Sequence, residues 1–374
     1  MLFRSDGGFT PAFQLSQGLP VIAQLPLGPG WGAVPKGAAP NNTLEFIQNN
    51  QVNGYMQQWN LTVQRELSKT IVVEGAYVSN IGHKLGSGSN ISINMIPLVD
   101  GRGPARQDQQ LRPFPQYNNV TWISPVWGDS NYQSVNFKIE KRYSGGLNLL
   151  SNFTWSKFLD NIPATGQVGG SGASFQHIEL HRLDWSVAGS DIPKRWISSA
   201  VYDLPIGKGK RFGIDNPVLN AIAGGWGLSA IAEVRNGAPW GAAELTNTSN
   251  TFSAAQRPNL LRSPILATNR PRADRLANYF DTTAFGTPAV GTFGNAARNL
   301  GYGPGLVSID TSIHKKWILK EPTSLQFRAD IYNLPNTPSF DNPGGSRGAS
   351  NFGRISSTRQ GSERIIQLSL RLEF

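Results

Sequence analysis

Apolar and polar side chains alternate along several stretches of this chain, each about ten residues long. In the clearest stretch the apolar residues are Ile366, Leu368, Leu370, Leu372 and Phe374, and they are separated by Gln367, Ser369, Arg371 and Glu373. A period of two is typical of a β-strand with one apolar and one polar face, because successive side chains point to opposite sides. Helical periodicity is nearly absent, so the pattern predicts an all-β fold.

Eight further segments show the same alternation or a weaker form of it, so we predict nine strands. They cover residues 58–67, 70–80, 134–140, 147–156, 195–204, 226–236, 307–314 and 325–331. The connections between the strands are alternately short and long. The short ones are 68–69, 144–145, 205–225 and 319–323, and the long ones are 81–130, 159–194, 240–305 and 335–362.

Long connections of this kind are unusual in a compact soluble domain. They are usual in an outer-membrane barrel, whose strands are joined by short periplasmic turns and long extracellular loops. Each strand of such a barrel needs about 9–11 residues to cross the bilayer, with apolar residues outward and polar residues inward. We therefore predict an antiparallel up-and-down transmembrane β-barrel in the outer membrane, with the long connections together at the extracellular rim.

Aromatic residues lie near the predicted strand ends. Those near the outer ends are Trp59, Tyr77, Trp155 and Trp196, and those near the inner ends are Tyr143, Tyr202, Trp226, Trp317 and Phe374. Because Trp and Tyr prefer the two membrane–water interfaces, this placement predicts two aromatic girdles. A general preference of aromatic residues for strands is the alternative explanation.

Composition removes several classes of protein. The 374 residues include 41 glycines and no cysteine, and only 16% of them are charged. Without cysteine, disulfide bonds, cysteine-ligated metal sites and thiol nucleophiles are excluded. No apolar run approaches the ~18 residues of a transmembrane helix, and the N-terminus lacks the apolar core of a signal peptide. Two alternatives follow: a cytoplasmic protein, or one whose true N-terminus lies upstream.

The formal net charge of +10 raises the question of nucleic-acid binding. Such binding needs basic residues gathered on one face with interleaved aromatic residues, whereas here they are scattered. The densest group is Lys208, Lys210 and Arg211, which lies in a glycine-rich turn. We expect this group to be solvated or to face an anionic surface, and we expect no nucleic-acid partner.

One cluster has the composition of a metal site. His177, Glu179 and His181 are spaced so that a strand would present all three on one face, where they could hold zinc or iron. An irregular extracellular loop with polar side chains is the preferred interpretation. No G-x-S-x-G nucleophile motif and no paired-carboxylate motif is present, so we expect neither a cofactor nor enzymatic activity.

Polar residues that alternate with the apolar ones would face the barrel interior. They include Asn60, Gln64, Asn136, Lys138, Glu140, Glu233, Arg235, Arg328, Asp330 and Arg371. These side chains could line a lumen and contact a plug. The alternative is that any water-filled barrel needs polar inward residues.

Several phrases of the chain resemble the barrel of Oar-like TonB-dependent receptors. They are QQWNLTVQREL (57–67), VVEGAYVSNIGHKL (72–85), FTWSKFLDN (153–161), DIPKRWISSAVYDLPIGKGKRF (191–212), GGWGLSAIAEVRNGAPW (224–240) and FRADIYNLPNTPSF (327–340). The resemblance covers most of residues 50–374. It implies that the C-terminal Leu370, Leu372 and Phe374 form the signal read by the barrel-assembly machinery. It also implies a plug domain that contacts the TonB complex. We do not find such a plug in this sequence.

Strand number supports a partial barrel independently of the resemblance, because bacterial single-chain barrels have even strand numbers and plugged transporters have 22. We expect residues 1–55 to be an extracellular loop or lead-in and 56–374 to be the C-terminal part of a larger barrel. The expected function is energy-coupled substrate uptake by the full-length protein, in contact with outer-membrane lipid and lipopolysaccharide. The alternative is a surface adhesion or carbohydrate-binding β-protein without transport.

Overall fold

A computed structural model of the protein describes residues 33–35, 37–86, 90–162 and 175–374. Nine long strands dominate these residues. They are β1 (Tyr55–Ser68), β2 (Ile71–Gly86), β3 (Val126–Ser144), β4 (Leu147–Asp160), β5 (Lys194–Asp203), β6 (Trp226–Arg235), β7 (Leu306–Lys320), β8 (Thr323–Tyr332) and β9 (Ile365–Glu373). Each long strand pairs with its neighbours in sequence, and the short strand Ser186–Val187 adds a tenth member beside β4. The predicted all-β antiparallel fold and the positions of the nine strands are confirmed.

The strand registers place the apolar positions of the nine strands on one face of the sheet. One row across the first strands consists of Leu61, Tyr77, Val135 and Trp155. A row on the opposite face consists of Gln64, Glu74, Lys138 and Asn152. A slip of one residue in any pairing would exchange the two faces. The alternation in the sequence therefore specifies the register of the sheet.

Short and long connections lie at opposite rims, as predicted. The short ones are 69–70, 145–146, 204–225 and 321–322, and the long ones are 87–125, 161–193, 236–305 and 333–364. The shortest connections are two-residue hairpins. One of them uses Gly145 and Gly146, with φ values of 61° and 82°, because such a turn requires left-handed backbone that glycine adopts without strain.

The remaining elements are short and belong to the segments outside the nine strands. Thr43–Phe46, Ile91–Ser92 and Asn119–Trp122 form a three-stranded sheet, and Pro239–Trp240 with Gly301–Tyr302, Ala243–Glu244 with Ser346–Arg347, and Asn259–Leu260 with Phe285–Gly286 form two-stranded ones. The α-helices are α1 (Pro217–Ala223) and α2 (Arg272–Ala277), and the 3₁₀ helices are Gln109–Leu111, Ile178–Asp184 and Thr282–Ala284. Within the described residues, neither α-helix is long and apolar enough to cross a membrane.

The buried apolar residues lie mainly in the long connections rather than on the sheet. The Trp240 ring stacks on Phe280 at 4.2 Å between ring centroids, and Phe285 packs edge-on against Phe280. Hydrogen bonds join different connections, for example from the Gln176 side chain to the Gly294 carbonyl and from the Asn342 side chain to the Pro239 carbonyl. The described parts of the long connections thus pack together as a cap over one rim.

The sheet has two open edges. β1 and β9 are the end strands of the sheet order, and in the described part of the chain they do not pair with each other. Every residue of β1 is exposed. The predicted lead-in is partly described: a strand occupies Thr43–Phe46, whereas residues 1–32 lie outside the described ranges.

Candidate functional site

A cavity of about 770 Å³ lies where β5 and β6 meet the cap. The two strands contribute Arg195, Glu233 and Arg235 to its wall. All three side chains belong to the polar face, because they alternate with Trp196 and Val234 of the apolar face, and Arg195 lies opposite Arg235 in the register. The cavity is therefore on the polar side of the sheet at the rim of the long connections.

Three long connections complete the wall of this cavity, and two of them contribute charged side chains. Asp191 comes from the connection between β4 and β5, and Asp341 and Arg359 come from the connection between β8 and β9. Backbone hydrogen bonds fix the second connection locally, because the Asp341 N–H donates to the Ser357 carbonyl at 3.1 Å and the Arg359 N–H donates to the Ser339 carbonyl at 2.7 Å. Three separate parts of the chain thus place charged groups around one space.

The carboxylates of the cavity already accept hydrogen bonds. Glu233 Oε1 lies 2.9 Å from Arg195 Nε and 3.3 Å from Arg235 Nε. Asp191 accepts from the Tyr302 hydroxyl at 2.6 Å, and Asp341 accepts from Ser357 Oγ at 2.6 Å. Each acidic group in the wall is therefore matched by a donor.

Burial raises the pKa of both members of the Asp191–Tyr302 pair. It raises the pKa of the Asp191 carboxyl, and the hydrogen bonds from Tyr302 and from the Phe158 N–H partly oppose that shift. The pKa of Tyr302 is raised as well, first by burial and then by its bond to Asp191. The tyrosine consequently stays protonated at neutral pH and keeps donating to Asp191.

In the described residues, the arginine side chains of the cavity wall have more N–H groups than their hydrogen-bond partners use. Arg359 Nη2 contacts only the Pro304 carbonyl at the long distance of 3.4 Å, and within the described ranges it forms no ion pair. Arg195 and Arg235 share the single carboxylate of Glu233. Guanidinium groups bind carboxylate and phosphate through pairs of parallel N–H bonds, and the cavity volume is in the usual range for a small-molecule site. The cavity thus presents guanidinium N–H groups of the kind that pair with carboxylate or phosphate oxygens.

The strand arrangement that would gather His177, Glu179 and His181 on one face is not formed. Residues 178–184 form a 3₁₀ helix with His177 as its N-cap, not a strand with three side chains on one face. His177 Nε2 lies 3.1 Å from the Ile96 carbonyl, Glu179 accepts from the Leu98 N–H, and the His181 ring packs against Trp127. Among the residues that the structure describes, no three potential ligands meet in a metal site.

A family model for the outer membrane beta barrel domain matches residues 3–367 of the chain. The chain belongs to this family. It is therefore a β-barrel protein of the outer membrane. No curated protein matches it.

Three solved structures are similar to this outer-membrane barrel chain. The transporter YddB of Escherichia coli is 10% identical, with a TM-score of 0.43, 89% of this chain covered and 34% of that chain. The ferric preacinetobactin receptor BauA of Acinetobacter baumannii is 11% identical, with a TM-score of 0.37 and coverages of 84% and 29%. The FrpB iron transporter of Neisseria meningitidis is 10% identical, with a TM-score of 0.38 and coverages of 87% and 32%. The chain spans about a third of the length of these structures.

The aromatic residues of the predicted girdles lie on the strands of the barrel sheet. Trp59, Trp155 and Trp196 occupy neighbouring rows of the apolar face toward the cap, and Tyr77 shares the row of Trp155 although it lies near the middle of β2. At the other rim are Tyr143, Tyr202, Trp226 and Trp317. Their role as girdles remains a prediction.

The C-terminal residues lie at the rim of the short connections. Leu370 and Leu372 are on the apolar face of β9, opposite Phe327 and Leu325. Phe374 follows the end of β9 and is 94% exposed. Its side chain is thus available to another molecule.

Sequence reasoning found only part of the cavity. Glu233 and Arg235 were among the predicted interior residues, and Arg195 could have been added because it has the inward parity of its strand. Asp191, Asp341 and Arg359 were missed. They lie in connections without regular periodicity, so no local signal in the sequence relates them to β5 and β6.

Proposed function

We propose that this chain forms the C-terminal nine strands of a larger Oar-like TonB-dependent receptor that imports an acidic solute. The observation that carries the proposal is the cavity at the cap, in which Arg195, Arg235 and Arg359 have N–H donors left over. The cavity opens on the polar side of a barrel sheet, where a transported solute would pass. The open edges of β1 and β9 support the proposal that further strands complete the barrel.

The partners follow from this proposal. A plug in the full-length protein would contact the TonB complex, which transmits energy from the inner membrane. The barrel-assembly machinery would insert the strands, and outer-membrane lipid and lipopolysaccharide would surround them. We assign no catalytic residue, no cofactor and no nucleic-acid partner.

Arg359→Ala tests the cavity directly. Citrate and inorganic phosphate serve as probes, because both present oxygens that pair with guanidinium groups. We expect the full chain to bind at least one probe by isothermal titration calorimetry, and we expect the substitution to weaken binding roughly ten-fold, the loss of about one charge-assisted hydrogen bond. Arg354→Ala is the matched control, because Arg354 is exposed in the same connection and lies outside the cavity. Failure of both probes to bind, or equal losses in both variants, would contradict the assignment of the cavity.

Energy coupling is tested separately in cells that carry the full-length receptor. Radiolabelled probe should accumulate inside the cells, and a protonophore should abolish accumulation while leaving surface binding unchanged. Surface binding without energy-dependent accumulation would favour the adhesion or carbohydrate-binding alternative.

A further inference from the structure

The connection between β5 and β6 contains the helix α1. The alternation pattern of the strands does not predict this helix. The sequence around residue 216 favours the start of α1. Asn216 is the N-cap, and its side chain accepts hydrogen bonds from the Val218 and Leu219 N–H groups at 3.0 and 3.1 Å. Pro217 follows at the first helical position, where proline is favoured. Gly224 and Gly225 end the helix.

Three donors from the sheet hold the C-terminal end of α1. Trp317 Nε1 donates to the Ala221 carbonyl at 2.7 Å, and Trp226 Nε1 donates to the Ile222 carbonyl at 2.8 Å. Lys315 Nζ donates to the Ile222 carbonyl at 3.2 Å. The last carbonyls of a helix have no partner within it and carry partial negative charge, so these donors satisfy them.

The burial of Lys315 accounts for the position of α1 on the outer side of the sheet. Lys315 occupies an apolar-face position of β7, opposite Trp226 in the register, yet it is only 3% exposed. Its ammonium group lies 5.4 and 5.2 Å from the centroids of the Trp226 and Trp317 rings. A cation on the apolar face of a barrel is unfavourable without partners. α1 and the two indoles therefore cover it from the lipid side, at the rim of the short connections.

The outer surface of α1 is apolar. Val218, Leu219 and Ile222 are exposed by 67%, 57% and 65%. Ile222 is four residues after Val218 and three after Leu219, so it neighbours both and the three side chains lie on one side of the helix. Asn220 faces the connection instead, and its Oδ1 accepts from the Lys208 N–H at 2.8 Å.

Three cations lie in the same connection. Lys208, Lys210 and Arg211 are exposed, and none of them forms an ion pair in the described part of the chain. The connection contains one acidic residue, Asp215, so its formal charge is three minus one, or +2. Exposed cations beside an exposed apolar helix face are typical of segments that lie in an anionic membrane interface.

We propose that residues 204–225 bind an anionic phospholipid of the leaflet at the short-connection rim. Val218, Leu219 and Ile222 contact the acyl chains, while Lys208, Lys210 and Arg211 contact the phosphate. A phospholipid is the occupant that fits, because Trp226, Trp317 and Lys315 hold α1 against the lipid-facing side of the sheet and not against its polar side. The short-connection rim is the periplasmic one in barrels of this kind. The site does not depend on the transport proposal.

The full chain, purified in mild detergent with mixed phosphatidylglycerol and phosphatidylethanolamine, provides the test. Native mass spectrometry counts the lipids that remain bound. We expect preferential retention of phosphatidylglycerol, and we expect Lys208→Ala/Lys210→Ala/Arg211→Ala to reduce it at least about ten-fold, because each cation near an anionic surface strengthens binding about five-fold. Retention of phosphatidylethanolamine should not change.

Arg102→Ala/Arg106→Ala/Arg182→Ala is the matched control, since it removes three exposed cations from the other rim. Equal phosphatidylglycerol retention in the wild-type chain and the first variant would overturn the proposal, as would an equal loss in the control. A second measurement needs no substitution: salt at about 1 M, where the screening length is about 3 Å, should strip phosphatidylglycerol from the wild-type chain. Retention of this lipid at high salt would also overturn the proposal.

Discussion

At the scale of single residues, buried ion pairs link the long connections to one another and to a strand end. Arg257 Nη1 lies 2.6 Å from Asp184 Oδ1, and these side chains are 1% and 2% exposed. Burial raises the pKa of the Asp184 carboxyl, while the charge of Arg257 opposes that shift. Arg298 likewise pairs with Asp160, and burial lowers the pKa of Arg298 to about 10. Removing one partner of such a pair leaves an uncompensated charge, which typically costs about 3–5 kcal/mol. Substituting one partner of either pair should therefore destabilise the cap.

His177 makes the cap sensitive to pH. Its Nδ1 accepts from the Glu179 N–H and its Nε2 faces the Ile96 carbonyl, so the buried ring is neutral with a proton on Nε2. Burial lowers the pKa of His177 below its usual 6.5, and the hydrogen bond to Ile96 and the charge of Glu179 partly oppose that shift. The unfolded cap therefore binds protons more readily, and stability is lost as pH falls through 6.5 toward the folded-state pKa.

We expect trypsin to cleave the long connections faster at about pH 5.5 than at about pH 7.5, once the activity of the protease itself is corrected for. His177→Gln should reduce this difference, because the side chain no longer titrates. His181→Gln on the same 3₁₀ helix is the control and should keep it. The same pH dependence in both variants would show that His177 is not the responsible group.

At the scale of elements, the strands are longer than the alternation of side chains predicts. β3 covers Val126–Ser144, whereas the alternation predicted only 134–140. The additional pairs, such as Ser130 with Asp160 and Asn131 with Leu159, continue the ladder above the apolar band. Polar side chains occupy much of both faces there, so the hydrophobic period ends although the backbone pairing continues. Backbone hydrogen bonds thus extend the strands beyond the sequence signal.

The terminal strand carries a prediction about assembly. Because Phe374 is 94% exposed, its loss removes little packing from the fold. Deleting Phe374 in the full-length receptor should nevertheless lower the amount assembled in the outer membrane several-fold, with synthesis unchanged, since the barrel-assembly machinery would read it. Quantitative immunoblotting of membrane fractions measures this, and Phe374→Tyr is the control that keeps an aromatic ring. Normal assembly after the deletion would mean that the residue has no such role.

At the scale of the whole molecule, the two open edges of the sheet determine whether the chain associates with other strands. Unpaired backbone polar groups in hydrocarbon cost several kcal/mol each, so β1 and β9 need partner strands within a membrane. Exposed edges also invite association with other strands. We expect this chain, expressed alone and kept free of detergent and lipid, to form aggregates or an open curled sheet. Size-exclusion chromatography with light scattering tests this, and a monodisperse, protease-resistant monomer would contradict it.

The sequence by itself determined the strands, their two faces and the separation of the rims. Alternation has this power because the direction of a strand side chain depends only on its parity, whatever strand lies beside it. Leu61 and Gln64 could be placed on opposite faces without knowledge of their partners. The cationic turn at Lys208 was also visible, although its purpose was not.

Only the tertiary structure brought together groups from distant parts of the chain. Arg359 of the β8–β9 connection lines the same cavity as Arg195 of β5 and Glu233 of β6. Lys315 and Trp317 of β7 donate to carbonyls of α1. His177 is a buried N-cap in the packed cap, whereas the sequence had favoured only an irregular loop with polar side chains. Such contacts depend on how irregular connections fold over one another, and no periodicity encodes that packing.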